Sequence, residues 1–256
     1  MTRAQRRWLR WRCLVRSWAG ALLDALYPRD CVCCGLSAER GYLCRACRLA
    51  LFARKRNNAC TRCGEEAPAQ AGEAPFRCLA CQARQPAFVR AAIALRYAGE
   101  VRQMIHAFKY HRGLWLAEEL AGVLLACFRR SFAGLAFDGV VPVPMTRRKL
   151  RERGYNQAEV LAKRLARRLA LPCRCHLLQR VETGIPSQTH LRRSQRLHNA
   201  HEAYQLVPGA PPLCGLRLLL VDDVITTGAT AEACARRLRQ AGASEVYVLA
   251  LARPMR

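Results

Sequence analysis

Acidic side chains are scarce in this chain. Only 18 of its 256 residues are Asp or Glu, against 43 Lys and Arg, which gives a formal net charge of +25. That balance suits a nucleic-acid or polyphosphate partner. Lysine is scarce as well. Arginine supplies 39 of the 43 basic residues, a bias that also arises from a GC-rich genome, so codon usage accounts for part of the charge. No stretch of about 18 uncharged apolar residues is present, so no membrane span is expected. No apolar segment of suitable length followed by a small-residue cleavage site succeeds the basic N-terminus, so no signal peptide is expected and a cytoplasmic chain is predicted. There is no Gly-Lys-Ser/Thr, so no Walker A loop. No Ser/His/Asp or His-metal arrangement stands out.

Cysteine is abundant, with 15 residues. In a cytoplasmic chain this argues for metal rather than disulfides. Eight of them form four Cys-x-x-Cys pairs: Cys31/Cys34, Cys44/Cys47, Cys60/Cys63 and Cys78/Cys81. Each pair suits a tight turn that aims two thiolates at one tetrahedral metal. Gly35 and Gly64 follow the first and third pairs directly, as such turns often require. Four pairs predict two structural Cys₄ zinc sites, with the metal driving the folding of this region. The spacing leaves open whether consecutive pairs share a zinc or the pairs interleave. Cys33 is the odd one out. Cys13, Cys127, Cys173, Cys175, Cys214 and Cys234 read as small buried hydrophobes or surface thiols.

Three segments follow. Residues 1–27 read as a basic amphipathic helix, stopped by Pro28. Residues 28–86 hold the cysteine pairs. Residues 87–256 alternate strand and helix patterns, which predicts a mostly parallel sheet covered on both faces. Strands are predicted at Val89–Tyr97, Phe137–Val143, Leu216–Val221 and Val246–Ala250, with a short one at Cys173–Leu178. Helices are predicted at Gly99–Tyr110, Leu114–Arg130, Tyr155–Leu169, Leu191–Ala203 and Ala231–Ala241. With 52% hydrophobic residues, a substantial core is available.

The most informative run is Leu218 to Thr230. Four apolar residues read as a strand buried on both faces. Asp222 and Asp223 follow at its carboxyl end, where solvent is expected to reach both. Ile225, Thr226, Thr227, Gly228, Ala229 and Thr230 then open a helix. Ligands of open α/β sheets lie outside the carboxyl ends of the strands, and a helix N-terminus there attracts an anion. The bland alternative is an ordinary capped strand-to-helix turn. A second strand ends Val141-Pro142-Val143-Pro144 and leads into a basic loop of Arg147, Arg148, Lys149, Arg151 and Arg153. Forked guanidinium donors there suit a pyrophosphate group; a solvated basic loop is the alternative. Gly154 gives that segment mobility. Lys109 closes a helix, where its charge suits the helix dipole.

The acids and threonines look like the phosphoribosyl pyrophosphate (PRPP) signature of type I phosphoribosyltransferases. From Cys31 to Arg253 the chain resembles the ComF family of competence and GntX-like proteins, which joins a double zinc ribbon to a phosphoribosyltransferase-like domain. The resemblance rests on the four cysteine pairs, on Phe108-Lys109-Tyr110, and on Val141-Pro142-Val143-Pro144. It continues through Arg151-Glu152-Arg153-Gly154-Tyr155-Asn156-Gln157, through Gln188 with Arg196 and Asn199, and through Val221 to Thr230. Ser187 and Glu202 depart from the family pattern.

The resemblance implies PRPP bound with Mg²⁺, and a part in DNA uptake. Asp222 and Asp223 would hold the ribose hydroxyls, Thr226 to Thr230 the 5′-phosphate, and the basic loop the pyrophosphate. Lys109, Asn156, Gln157, Gln188, Arg196 and Asn199 are accessory candidates. One functional expectation is phosphoribosyl transfer to an acceptor the sequence does not name. The other is an adaptor for single-stranded DNA or for competence or recombination proteins, with the PRPP site as sensor or relic.

Overall fold

The structure is a computed structural model and describes residues 30–38, 41–53, 59–68, 75–110, 113–181 and 203–254. The N-terminal helix predicted over 1–27, the helix predicted from Leu191, and Gln188, Arg196 and Asn199 lie outside the described residues.

Two cysteine-rich turns come first. Each is followed by a short helix: α1 (Arg45–Ala53) and α2 (Leu79–Ala83). Then come β1 (Arg90–Arg96), α3 (Gly99–Tyr110), a 3₁₀ turn (Leu114–Leu116) and α4 (Ala117–Ser131). β2 (Gly139–Pro142), α5 (Arg147–Arg153) and α6 (Gln157–Leu169) follow. A small hairpin, β3 (Leu178–Arg180) and β4 (Tyr204–Leu206), precedes β5 (Arg217–Val224), α7 (Ala229–Gln240) and β6 (Glu245–Arg253).

The main sheet has the order β1-β6-β5-β2, and every pairing in it is parallel. The chain at Pro172–Arg174 extends it past β2. Val140 N–H donates to Pro172 O and Val140 O accepts from Arg174 N–H. The strand predicted over Cys173–Leu178 is therefore split between this edge and the hairpin. The parallel sheet between two helical layers is the predicted fold class.

Alternation along the strands assigns the two faces. Leu219 and Val221 of β5, with Leu249 and Leu251 of β6, pack against α3, α4 and α6. Leu218 and Leu220, with Val246, Val248 and Ala250, pack against α7 and the hairpin. A strand with both neighbours apolar has no polar face to show, which is why β5 reads as a continuous hydrophobic run.

The two ribbons dock differently. The first joins the α3/α4 core through Leu43 and Leu51. There Tyr42 N–H donates to Glu119 Oε1 at 3.1 Å, and its ring lies 4.1 Å from that of Trp115. The second ribbon has its own small cluster of Cys60, Cys78 and Cys81. It continues the sheet edge: Ala91 N–H donates to Arg62 O at 2.7 Å. Arg253, only 4% exposed, donates to Cys63 O at 2.8 Å and reaches Glu65.

Gly35 and Gly64 occupy equivalent turns with φ of +70° and +66°. A Cβ on Gly35 would meet nothing within 4 Å, whereas one on Gly64 would lie 2.8 Å from Ile93 Cγ1 and 2.9 Å from Ala91 O. Gly35→Ala should cost the left-handed backbone term alone, about 1–2 kcal/mol. Gly64→Ala should add roughly 1–3 kcal/mol of overpacking against β1. Thermal unfolding of the two variants checks this. Equal losses of melting temperature would contradict the seating of the second ribbon on the sheet.

Candidate phosphoribosyl site and metal centres

The eight paired cysteines gather as two quartets, Cys31/Cys34/Cys44/Cys47 and Cys60/Cys63/Cys78/Cys81, with the ligand atoms of each within 4.8 Å of one another. Consecutive pairs therefore share a site, which resolves the pairing. The two sites have one construction. Gly35 N–H donates to Cys31 O, and Gly64 N–H to Cys60 O. The second pair of each quartet sits at the start of α1 or α2, so a short helix delivers its two thiols.

Tetrahedral Zn–S bonds of about 2.3 Å require sulfurs about 3.8 Å apart. Cys34 Sγ lies 3.7 Å from Cys44 Sγ, and Cys63 Sγ 3.6 Å from Cys78 Sγ. The donor set fits zinc, and four sulfurs leave no open position for chemistry.

Burial raises the Cys31 thiol, but backbone N–H groups of Cys44, Cys33 and Cys34 outweigh it and bring it down to about 6. Cys60 falls to about 7, where N–H groups of Cys63, Cys78 and Arg62 again outweigh burial. Cys63 is pushed up to about 11, mainly by burial and in part by the charge of Cys60. Backbone N–H groups thus favour the thiolate at the first cysteine of each quartet. Cys33 is not a ligand; its Sγ faces Met104 Sδ at 3.4 Å.

The acids stand inside β5, not beyond it. β6 runs on to Arg253, so Asp222 pairs with Ala250 and Val224 with Ala252. Strand alternation continues through them. Asp223 falls on the α3 face, where its Oδ2 lies 2.6 Å from Lys109 Nζ. Asp222 falls on the α7 face, near Tyr204 and Cys234. The expectation that solvent reaches both carboxylates is corrected for Asp222, which is buried at 8% exposure. Extension of the strand under the hairpin is the cause. Asp222 Oδ1 accepts the Asp223 N–H at 2.8 Å. Burial first, then the Asp223 charge, holds the Asp222 carboxyl well above the usual carboxylate range.

The threonine loop leaves β5 directly. Ile225 N–H donates to Ala252 O, and Thr226 and Thr227 are exposed. Gly228 takes φ +83° and caps α7, a conformation that glycine adopts without a Cβ penalty. Thr227 Oγ1 accepts from Ala229 N–H at 3.3 Å. The helix begins at Ala229, two residues earlier than predicted, and its first N–H groups have no acceptor within the helix.

Residues 147–153 are predicted as a loop but form α5. Thr146 caps it, accepting from Lys149 N–H. Gly154 ends it at φ +80°, a helix stop rather than a point of mobility. Helical spacing separates the cations. Arg147 and Arg151 are exposed on one side, whereas Lys149 and Arg153 are half-buried on the other. Burial, then the charges of Arg180 and Arg153, lowers the Lys149 ammonium. Arg180 is a cation that the sequence reading missed. It lies on β3 with its guanidinium 5.4 Å from the Tyr204 ring centroid, and only the hairpin pairing could have revealed it.

Motifs far apart in sequence meet at this end of the sheet. The Tyr155 hydroxyl donates to Phe108 O. Arg153 donates to the Tyr110 hydroxyl and to Gln157 Oε1, both at 3.2 Å. Asn156 caps α6, accepting from Ala158 N–H, and donates to Val143 O at 3.0 Å. Val143 N–H in turn donates to Val221 O. Gln157 is buried, and Pro142 and Val143 with it, so these three position neighbours rather than face solvent. Among the described residues, no helix is long and apolar enough to cross a membrane.

Two outcomes are expected. Metal analysis should find two zinc ions per chain, and one or none would contradict the two quartets. A carboxyl whose pKa is raised by folding stabilises the fold below its unfolded value of about 4, and that contribution is lost as pH climbs through the folded value. The melting temperature of Asp222→Asn relative to the parent should therefore rise between about pH 5 and pH 8. A flat or falling difference would show an ionised, well-solvated Asp222.

Comparison with known proteins agrees with this layout. A double zinc ribbon domain model matches residues 22–82, and a phosphoribosyl transferase domain model matches residues 156–256. Competence protein F of Haemophilus influenzae is 29% identical over 228 residues, 87% of this chain and 96% of that one. The DNA utilization protein YhgH of Salmonella typhi is 31% identical over 216 residues, 83% of this chain and 91% of the relative. The Escherichia coli K12 protein of that name is 30% identical over 233 residues, covering 89% and 98%. Together with the quartets and the parallel sheet, these matches show that the chain belongs to the ComF family, a double zinc ribbon followed by a phosphoribosyltransferase domain.

Proposed function

We propose that this protein binds PRPP at the carboxyl end of β5 and β2 and transfers or senses its phosphoribosyl group in the handling of incoming DNA. The observation that supports this most is the uninterrupted path from paired carboxylates to a glycine-capped helix start. The N–H groups at the head of α7, with Thr226, Thr227 and Thr230, suit the 5′-phosphate. Asp223 suits a ribose hydroxyl, while Asp222, buried on the α7 face, holds the Asp223 N–H. Lys149 and Arg153 suit the pyrophosphate, and Mg²⁺ enters as a counter-ion of the substrate's own phosphates. In transfer, the anomeric carbon would pass through an oxocarbenium-like state, as in glycosyl transfer generally, while the cations of α5 stabilise the departing pyrophosphate. The names of the relatives support the DNA role. The two thiol quartets support a reducing compartment such as the cytoplasm.

A second reading is an adaptor that grips single-stranded DNA, favoured by the net charge of +25 and by the exposed Arg147 and Arg151. Its affinity should fall steeply with salt and depend little on sequence. Titration at two salt concentrations tests this, and no binding at low salt would reduce the charge to codon usage.

For the PRPP reading, Asp223→Asn should weaken PRPP by roughly ten- to a hundredfold, the loss of a charged acceptor worth about 1.5–3 kcal/mol. Thr227→Ala should weaken PRPP more than ribose. Calorimetry checks both. Parental affinity in both folded variants would move the site elsewhere.

A further inference from the structure

The resemblance that implies PRPP also implies Mg²⁺, and a carboxylate pair at a strand end is the natural place to look for it. The residues present do not fit a metal there. Mg²⁺ demands near-octahedral oxygen ligands at about 2.0–2.1 Å. Asp223 Oδ2 already holds Lys109 Nζ at 2.6 Å, and these side chains are only 14% and 18% exposed. Asp222 Oδ1 is engaged by the Asp223 N–H.

Lys109 is anchored on both sides. It belongs to the last turn of α3. Its neighbour Phe108 is fully buried, and the Phe108 carbonyl accepts the Tyr155 hydroxyl. The ring of Tyr110 lies under the Arg153 guanidinium at 5.0 Å. A metal at Asp223 would therefore have to expel a like-charged group held by the surrounding packing.

We propose that Asp223 and Lys109 form a metal-free site for a ribosyl hydroxyl, in which Asp223 accepts the hydroxyl, Lys109 Nζ stands where a metal would otherwise be expected, and Asp222, buried on the α7 face, holds the Asp223 N–H. This deepens the PRPP reading and rests on it. Lys109 is a positioning residue: it holds Asp223 Oδ2 at 2.6 Å and aims it from the α3 side. It lies outside the stretch matched by the phosphoribosyl transferase model, residues 156–256, so the first half of the chain completes the site.

Two measurements test this on the zinc-loaded protein. The first is calorimetry with ribose 5-phosphate in buffers with and without Mg²⁺. Affinities within twofold of each other are expected, and a tenfold loss without Mg²⁺ would overturn the proposal. The second follows Mn²⁺ binding by electron paramagnetic resonance without any sugar. The parent and Lys109→Arg should show no Mn²⁺ site that depends on Asp223. Lys109→Met should gain one, at least tenfold tighter than any in the parent, and adding Asp223→Asn should remove it. A parental Mn²⁺ site lost in Asp223→Asn overturns the proposal. So does a folded Lys109→Met, still holding two zincs, that gains none. Failure of ribose 5-phosphate to bind under any condition would instead sink the ribosyl-phosphate reading, and the Mn²⁺ result would still judge the role of Lys109.

Discussion

The parallel pairing of β5 with β6 is the constraint on which the rest depends. It runs from Arg217 opposite Glu245 to Val224 opposite Ala252, well past the apolar stretch of β5. Because the ladder continues through Asp222 and Asp223, these residues keep strand geometry, and adjacent carboxylates fall on opposite faces of the sheet. One meets Lys109 from α3, and the other is enclosed by α7 and the hairpin. The same ladder fixes where the chain leaves the sheet: Ile225 still donates to Ala252 O, and the glycine-capped helix start follows at once. A strand two residues shorter would leave both acids in a solvated turn with neither partner.

The zinc ribbons are tied into the same framework. Each knuckle is local in sequence and gets its shape from backbone N–H groups aimed at sulfur. Its orientation relative to the sheet comes from elsewhere. For the second ribbon that source is Arg253, the last residue of β6, which donates to Cys63 O. Arg253 follows Ala252, whose carbonyl holds the Ile225 N–H. A single dipeptide thus contacts a cysteine turn through its side chain and the start of the threonine loop through its backbone. A buried Arg held by a carbonyl and a carboxylate is costly to leave unpaired, so metal loss at Cys60–Cys81 should be felt in the sheet.

Much of this was legible in the sequence, for identifiable reasons. The cysteine pairs announced two Cys₄ sites because ligand spacing is a short-range property. Helix α3 was visible because helical periodicity is local. The sheet class followed from alternating strands and helices. What escaped depended on partners distant in the chain. The acids looked solvent-reached because nothing local shows that β6 extends alongside them. The basic run looked like a loop because its charge hid a Thr146 cap and a Gly154 stop. Arg180 could be seen as a member of the cationic group only once β3 was paired with β4. Lys109 read equally well as a helix-end charge, and its ion pair with Asp223 spans more than a hundred residues.

The central claim is that the segment from Ile225 to Thr230 receives the phosphate of PRPP. Amide hydrogen exchange on the zinc-loaded protein, with and without PRPP and Mg²⁺, tests it most directly. The account predicts that PRPP slows exchange at Thr226–Ala231, and also around Phe108–Tyr110, where α3 meets Asp223. Unchanged exchange in the 226–231 amides at saturating PRPP, or protection confined to other surfaces, would contradict it.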